Sequence, residues 1–170
     1  MVGSCCQGAP ADAAVRLALA SSPGAHGAVF IPYLDGERTP NRPHETGRLV
    51  GLTRKVGRED IARACVEGLL CSLADAVSFL EEVSGSRAER LLFIGGGAKS
   101  LAVRTLAPSV LGSDIEVPEP GEYVALGAAR QAAWALSGGA DLPQWEKRPT
   151  TCYSGEHHPQ VLEAYREARG

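Results

Sequence analysis

The sequence predicts an α/β domain, and three observations carry that expectation. Short apolar runs with the character of buried strands alternate with longer segments whose apolar residues recur at helical spacing. A glycine triplet, Gly95-Gly96-Gly97, stands between one such run and one such helix. The chain is also rich in small residues, with 20 Gly against 5% aromatics, a texture that lets helices and turns lie close to strands and argues against an aromatic-cored sandwich. At 170 residues, 44% hydrophobic and 22% charged, it is large and apolar enough to fold around its own core.

Taken in order, Pro10-Ala11-Asp12 opens an Ala- and Leu-rich helix to Ala20, which Ser21-Ser22-Pro23-Gly24 stops. Gly27 to Leu34 reads as a buried strand, and Asp35-Gly36 turns the chain. Asp35 to Thr46, DGERTPNRPHET, is too polar for core and reads as a long surface loop of the kind that is either functional or disordered. Arg48 to Thr53 is a second, shorter strand. Gly57 to Val83 carries the strongest helical signal: Glu59 and Asp60 lie in its first turn, where the helix dipole favours acids, and Ile61, Cys65, Leu69 and Leu73 recur at i+4. With Ala62, Val66, Leu70, Val77 and Leu80 widening that stripe, the helix is expected deep in the fold, with Glu67 on a solvated stripe shared with Asp60 and Arg63.

Leu91 to Ile94 shows no alternation, the mark of a strand covered on both faces. The glycine loop follows, then a helix from Leu101 to Leu111 stopped by Gly112. Asp114 to Val117 is a strand ended by Pro118-Glu119-Pro120, and Gly121 to Leu136 is an Ala-rich helix closed by Gly138-Gly139. Pro143, Pro149 and Pro159 break up the remainder, where only Leu162 to Arg169 reads as helix. The domain proper is therefore expected at residues 21–140, between a remnant at 1–20 and a tail at 141–170.

A net charge of −3 and a pI near 5.8 leave no strongly basic face, so nucleic acid is not an expected partner. The longest apolar runs fall far short of a membrane span, and Arg16 interrupts the only N-terminal stretch resembling a signal segment, so no membrane association is expected and the cytoplasm is the expected location. Cys5, Cys6, Cys65, Cys71 and Cys152 form neither a disulfide framework nor a zinc pattern and read as free thiols. His157-His158 lacks the flanking ligands of a metal site and reads as solvated tail.

Three glycines between a buried strand and a helix bring bare backbone N–H groups and the positive helix end to one point, where phosphate oxygens are the usual occupants. Lys99 and Ser100 add a cation and a hydroxyl. The P-loop template fails, because Phe93 and Ala98 occupy its glycine positions. A dinucleotide fingerprint fits weakly, with Ser100 in place of its third glycine and Glu116 or Glu119 as the later acid. The alternative is that the glycines merely let a helix pack tightly on the sheet. Both readings stand on the residues alone.

Several segments taken together resemble the FGGY family of carbohydrate kinases: Pro32 to Pro40 (PYLDGERTP), Gly47 to Thr53 (GRLVGLT), ARACVEGLLCSLADAV in the long helix, LLFIGGGAKS, and GEYVALGAARQAAWAL. They occur in the family's order across residues 20–137 and correspond to the C-terminal half of such an enzyme. The resemblance implies a single actin-like, ribonuclease-H-like ATPase lobe with a mixed sheet flanked by helices, using ATP or ADP with Mg²⁺. It implies transfer of the ATP γ-phosphate to a sugar hydroxyl, the sugar being held mostly by the other lobe. On it, Gly95, Gly96, Gly97, Ala98 and Ser100 contact nucleotide, and Gly36, Glu37, Arg38 and Thr39 face the cleft and its phosphates. The family's catalytic aspartate lies in the other lobe. None of Asp35, Asp60, Asp75 and Asp114 sits in its motif, so no catalytic residue or metal ligand is assigned and the chain alone is expected to be inactive.

Two departures stand out, Leu101 where relatives often carry a polar adenine contact, and Leu126 before Gly127-Ala128-Ala129. A lobe presenting its inter-lobe face is expected to self-associate, as a homodimer. The competing expectations are an NAD-binding oxidoreductase fragment and a non-catalytic interaction module.

Overall fold

In the computed structural model, which describes residues 10–139, 141, 144–145 and 148–170, the first helix, α1, covers Pro10–Ala20 and ends where the Ser-Ser-Pro sequence begins. Cys5 and Cys6 lie outside the described residues. A 3-10 turn at Ala25–Gly27 leads into β1 (Val29–Ile31), which pairs antiparallel with β2 (Arg48–Val50), Phe30 opposite Leu49. The long helix α2 follows at Arg58–Ser84, and Asp60 three residues into it accepts a hydrogen bond from Gly57 N–H at 2.8 Å, satisfying one of the orphan donors of the helix start.

The second sheet is built by β3 (Leu91–Leu92), the helix α3 (Leu101–Leu111) and β4 (Ile115–Pro118), with β3 and β4 parallel and Leu91 opposite Ile115. After α4 (Tyr123–Ser137) the chain returns as β5 (Thr150–Tyr153), antiparallel to β4, so the sheet order is β3-β4-β5. The last helix, α5, covers Pro159–Arg169. The core gathers Ile31 and Tyr33, Leu70 and Cys71 of α2, Val103, Leu106 and Val110 of α3, Ile115, and Val161 and Tyr165 of α5. Both sheets are thus tied to one core through α2, α3 and α5.

The orientation of α2 corrects the sequence reading. Asp60, Arg63 and Glu67, expected in solvent, are each 4–5% exposed, while Ile61, Leu69, Leu73 and Leu80 of the apolar stripe are 39–64% exposed. The inward face combines Leu70, which the stripe did place inside, and Cys71 with the small residues Ala64, Gly68 and Ala74, which allow the backbones to approach. At Gly68 an added Cβ would lie 2.1 Å from Phe30 O, so only glycine lets α2 lie this close to β1. The buried polar groups are satisfied from the turn after α1. Arg63 Nε donates to Glu67 Oε1 at 2.6 Å and its Nη1 to Ser21 O at 2.6 Å, while Gly24 N–H donates to both Glu67 oxygens at 3.2–3.3 Å.

Other expectations are also revised. Leu92 and Ile94 are 49% and 48% exposed, so the strand before the glycine loop is not covered on both faces. No described residue of α4 is buried, so its alanines do not mark close packing. The polar segment after Leu34 is an ordered hairpin, with Glu37 and Arg42 exchanging backbone hydrogen bonds at 3.0 and 2.8 Å. The tail contains β5, and α5 starts at Pro159, whose missing N–H costs nothing in a first turn. His158 is not loose: its N–H donates to Ser109 O at 2.9 Å.

Candidate functional site

The glycine loop is shaped by the strand before it and the helix after it. Phe93 N–H donates to Glu116 O at 2.9 Å, extending the β3–β4 pairing. Gly95 then takes φ +91°, a conformation that favours glycine, and turns the chain out of the sheet. Lys99 N–H and Ser100 N–H donate to Gly96 O and Gly97 O at 3.1 Å each, closing a 3-10 turn over Gly97–Lys99 from which α3 starts. Ala98 is buried and anchors the turn; Lys99 is exposed, and the Ser100 side chain makes no cap hydrogen bond to α3.

The space around the loop bears on the packing reading. A Cβ added at Gly95, Gly96 or Gly97 would meet nothing within 4 Å. The three glycines therefore do not serve tight packing, which in this fold is the role of Gly68. Gly95 and Gly96 border an open cavity of about 410 Å³ whose lining from the loop is Phe93, Ile94, Gly95, Gly96, Ala98 and Lys99. The facing wall is Val117 to Tyr123, and Arg104 and Thr151 complete the lining. Gly97 and Ser100 are not among its lining residues. The lining carries both charges, Lys99 and Arg104 along with Glu119 and Glu122.

Sequence reasoning missed Arg104, Glu122, Tyr123 and Thr151. Arg104 stands four residues after Ser100, one helical turn along α3, so its spacing was a usable signal. Nothing in the proline-broken tail marked Thr151.

The hairpin at 36–39 is a separate feature. Gly36, at φ +79°, is required there because a Cβ would lie 2.5 Å from Pro43 O. Glu37 Oε1 accepts the N–H groups of Arg38 and Thr39 at 2.7 and 3.1 Å. Arg42 pairs with Glu45 at 2.7 Å and donates to the backbone carbonyls of Arg169 and Gly170, tying the hairpin to the end of α5. None of residues 36–40 appears in the described lining of the glycine-loop cavity, so the structure does not bring the two expected site segments together.

Several carboxylates elsewhere are engaged. Asp60 accepts from Ser21 Oγ at 2.5 Å, from Gly57 N–H, and from His26 Nδ1 at 2.9 Å; together, Ser21 foremost, they hold its carboxyl at about 2, down from 3.8. Burial pushes the Glu67 carboxyl up, opposed by Arg63. Asp75 pairs with Arg166 at 2.7 Å and with Arg169. Glu116, one of the two acids a dinucleotide fingerprint would use, is held below its usual range by Arg90 and also accepts from Thr150. Among the described residues no group of three His, Cys, Asp or Glu side chains is placed to hold a metal, and no helix is long and apolar enough to cross a membrane.

With this geometry in hand, comparison with known proteins identifies the class. The pattern of the FGGY family of carbohydrate kinases, C-terminal domain, matches residues 6–136, and the chain belongs to that family. Among individual relatives, it is 38% identical over 130 residues to the xylulose kinase of Streptomyces rubiginosus, covering 75% of this chain and 27% of that one. It is 35% identical over 120 residues to the gluconokinase of Bacillus licheniformis, covering 70% and 23%. The crystal structure of xylulose kinase from Bifidobacterium adolescentis superposes with a TM-score of 0.82 at 52% identity, over 94% of this chain and 31% of that one. The expected actin-like, ribonuclease-H-like lobe is thus the observed fold, and the chain spans between 23% and 31% of the length of these relatives.

Proposed function

We propose that the chain is the nucleotide-binding lobe of an ATP-dependent sugar kinase, with D-xylulose converted to xylulose 5-phosphate as the reaction that the relatives' names favour. The observation that carries this reading is the open glycine loop: three glycines with no packing role, two of which, Gly95 and Gly96, line a cavity that also holds Lys99 and Arg104. Gly95, Gly96, Gly97, Ala98 and Ser100 take the nucleotide, which arrives as Mg·ATP. Gly36, Glu37, Arg38 and Thr39 of the hairpin, which lie apart from that cavity, face the cleft toward the other lobe.

In phosphoryl transfer the charge on the moving group is met by Mg²⁺ and pre-aimed donors while a base takes the acceptor proton. This lobe supplies donors. Asp60 and Asp75 are committed to structural partners and none of the aspartates sits in the family's catalytic motif; on the family resemblance the base and most of the sugar site come from another lobe, and the chain by itself binds nucleotide without turnover. It acts in the cytoplasm, and its exposed apolar side chains, such as Val83 at 71% and Val124 at 85%, favour self-association.

The test is amide chemical-shift mapping with Mg·ADP. Shifts concentrated at residues 95–100 and 117–123 are expected. Shifts spread over the surface, or absent at millimolar nucleotide, would rule the reading out.

A further inference from the structure

Arginines enclosed in this fold come with a carboxylate. Arg63 meets Glu67, Arg42 meets Glu45, and Arg169 meets Asp75. Arg104 departs from that pattern. It is only partly exposed, and its Nε is enclosed without a hydrogen-bond partner, as is that of Arg169, but unlike Arg169 it has no carboxylate partner among the described residues. Its guanidinium carbon lies 5.4 Å from the centre of the Tyr153 ring, and the residue lines the glycine-loop cavity together with Lys99. Partial burial of a cation without a counter-charge is unfavourable, and ring contact offsets only part of that cost. Holding the guanidinium on a ring does, however, fix a fork of N–H donors in place before any ligand arrives.

Building on the nucleotide reading above, we infer that Arg104, positioned by Tyr153, donates to the phosphate oxygens of a nucleoside diphosphate or triphosphate in this cavity. The cavity also carries Glu119 and Glu122, which would repel phosphate and suit ribose hydroxyls or a base amino group. A second consequence concerns the tail. Tyr153 and Thr151 belong to β5, which lies beyond residues 6–136 matched by the family pattern. The C-terminal segment is therefore part of the nucleotide site.

The experiment is calorimetry of Mg·ADP and of adenosine with the whole chain and with Arg104→Met, Arg104→Lys, Tyr153→Leu and Tyr153→Phe, each with its melting temperature. Arg104→Met should bind Mg·ADP about tenfold or more weakly, the lower end of what a charge-assisted hydrogen bond contributes, with adenosine affinity unchanged. Arg104→Lys should recover part of the loss and keeps the test open if the methionine variant does not fold. Tyr153→Phe should match the parent chain, whereas Tyr153→Leu should bind Mg·ADP about threefold more weakly, the loss of an exposed cation–π contact. A parent chain that binds Mg·ADP while both Arg104 variants bind it within twofold would overturn the role of Arg104 and leave the nucleotide reading standing. Equal losses for Mg·ADP and adenosine would overturn the phosphate assignment. A parent chain that binds neither ligand would overturn the nucleotide reading itself.

Discussion

Replacing Arg63 by methionine should be among the most destabilising single changes in this chain, and the size of the effect follows from burial. The pair has N–O 2.6 Å, and its side chains are 6% and 5% exposed. An exposed pair at the same spacing would contribute at most about 1 kcal/mol. Here, Arg63→Met leaves the Glu67 carboxylate enclosed with only the Gly24 amide as donor and also removes the contact to Ser21 O. Stranding a buried charge in this way costs about 3–5 kcal/mol. For a chain of this size that corresponds to a fall in melting temperature of roughly 6–20 °C.

The pH dependence has a definite sign. Without Arg63 the Glu67 carboxyl is pushed further above its unfolded value of 4.5, so the penalty is present at neutral pH and fades as pH falls toward that value. Urea denaturation at pH 7 and pH 5 should therefore show a smaller gap between parent and variant at pH 5, and Arg63→Met/Glu67→Leu should recover much of the loss. A loss below about 1 kcal/mol at pH 7 with no pH dependence would show that the stripe is solvated after all, as periodicity alone suggested.

Gly68→Ala should cost upwards of about 2 kcal/mol in denaturant titration, because its Cβ would overlap Phe30 O, whereas Gly96→Ala should be neutral within about 0.5 kcal/mol. Asp60, held at about 2, contributes stability that is complete above its unfolded value of 3.8 and is lost as pH falls from 3.8 toward 2. Acid titration should show Asp60→Asn less sensitive than the parent over that window. Burial pushes the Cys71 thiol up to about 12, so peptide mapping after alkylation at pH 8 should find Cys71 modified only in unfolded protein, while exposed Cys152 reacts in the folded state.

Element positions were legible because their signals are local. The Ser-Ser-Pro stop of α1, the acids opening α2 and the glycine after α3 act within a turn of chain. Which side of α2 faces inward was not, because it depends on partners forty residues away. Ile61, Cys65, Leu69 and Leu73 recur at helical spacing, yet Gly68 and Ala64 win the inner face by allowing close approach, and Ser21 and Gly24 make burial of Arg63 and Glu67 affordable. β5 was invisible for a related reason: Thr150 to Tyr153 is a short segment with no pattern of its own, made a strand by pairing with β4. The glycine loop was found but not resolved in purpose, since only the space beyond each Cα separates a packing glycine from one that leaves room.

The central claim is that this space receives nucleotide, and Gly96 is where it is tested most directly. Gly96 has an ordinary helical φ of −64°, lines the cavity and would meet nothing if given a Cβ, so Gly96→Val should fold with an unchanged melting temperature while its side chain occupies the opening. Calorimetry with Mg·ADP should find binding by the parent chain and at least about a tenfold loss, some 1.4 kcal/mol, in Gly96→Val. Equal affinity in the two proteins, or no heat from the parent chain at millimolar nucleotide, would contradict the account.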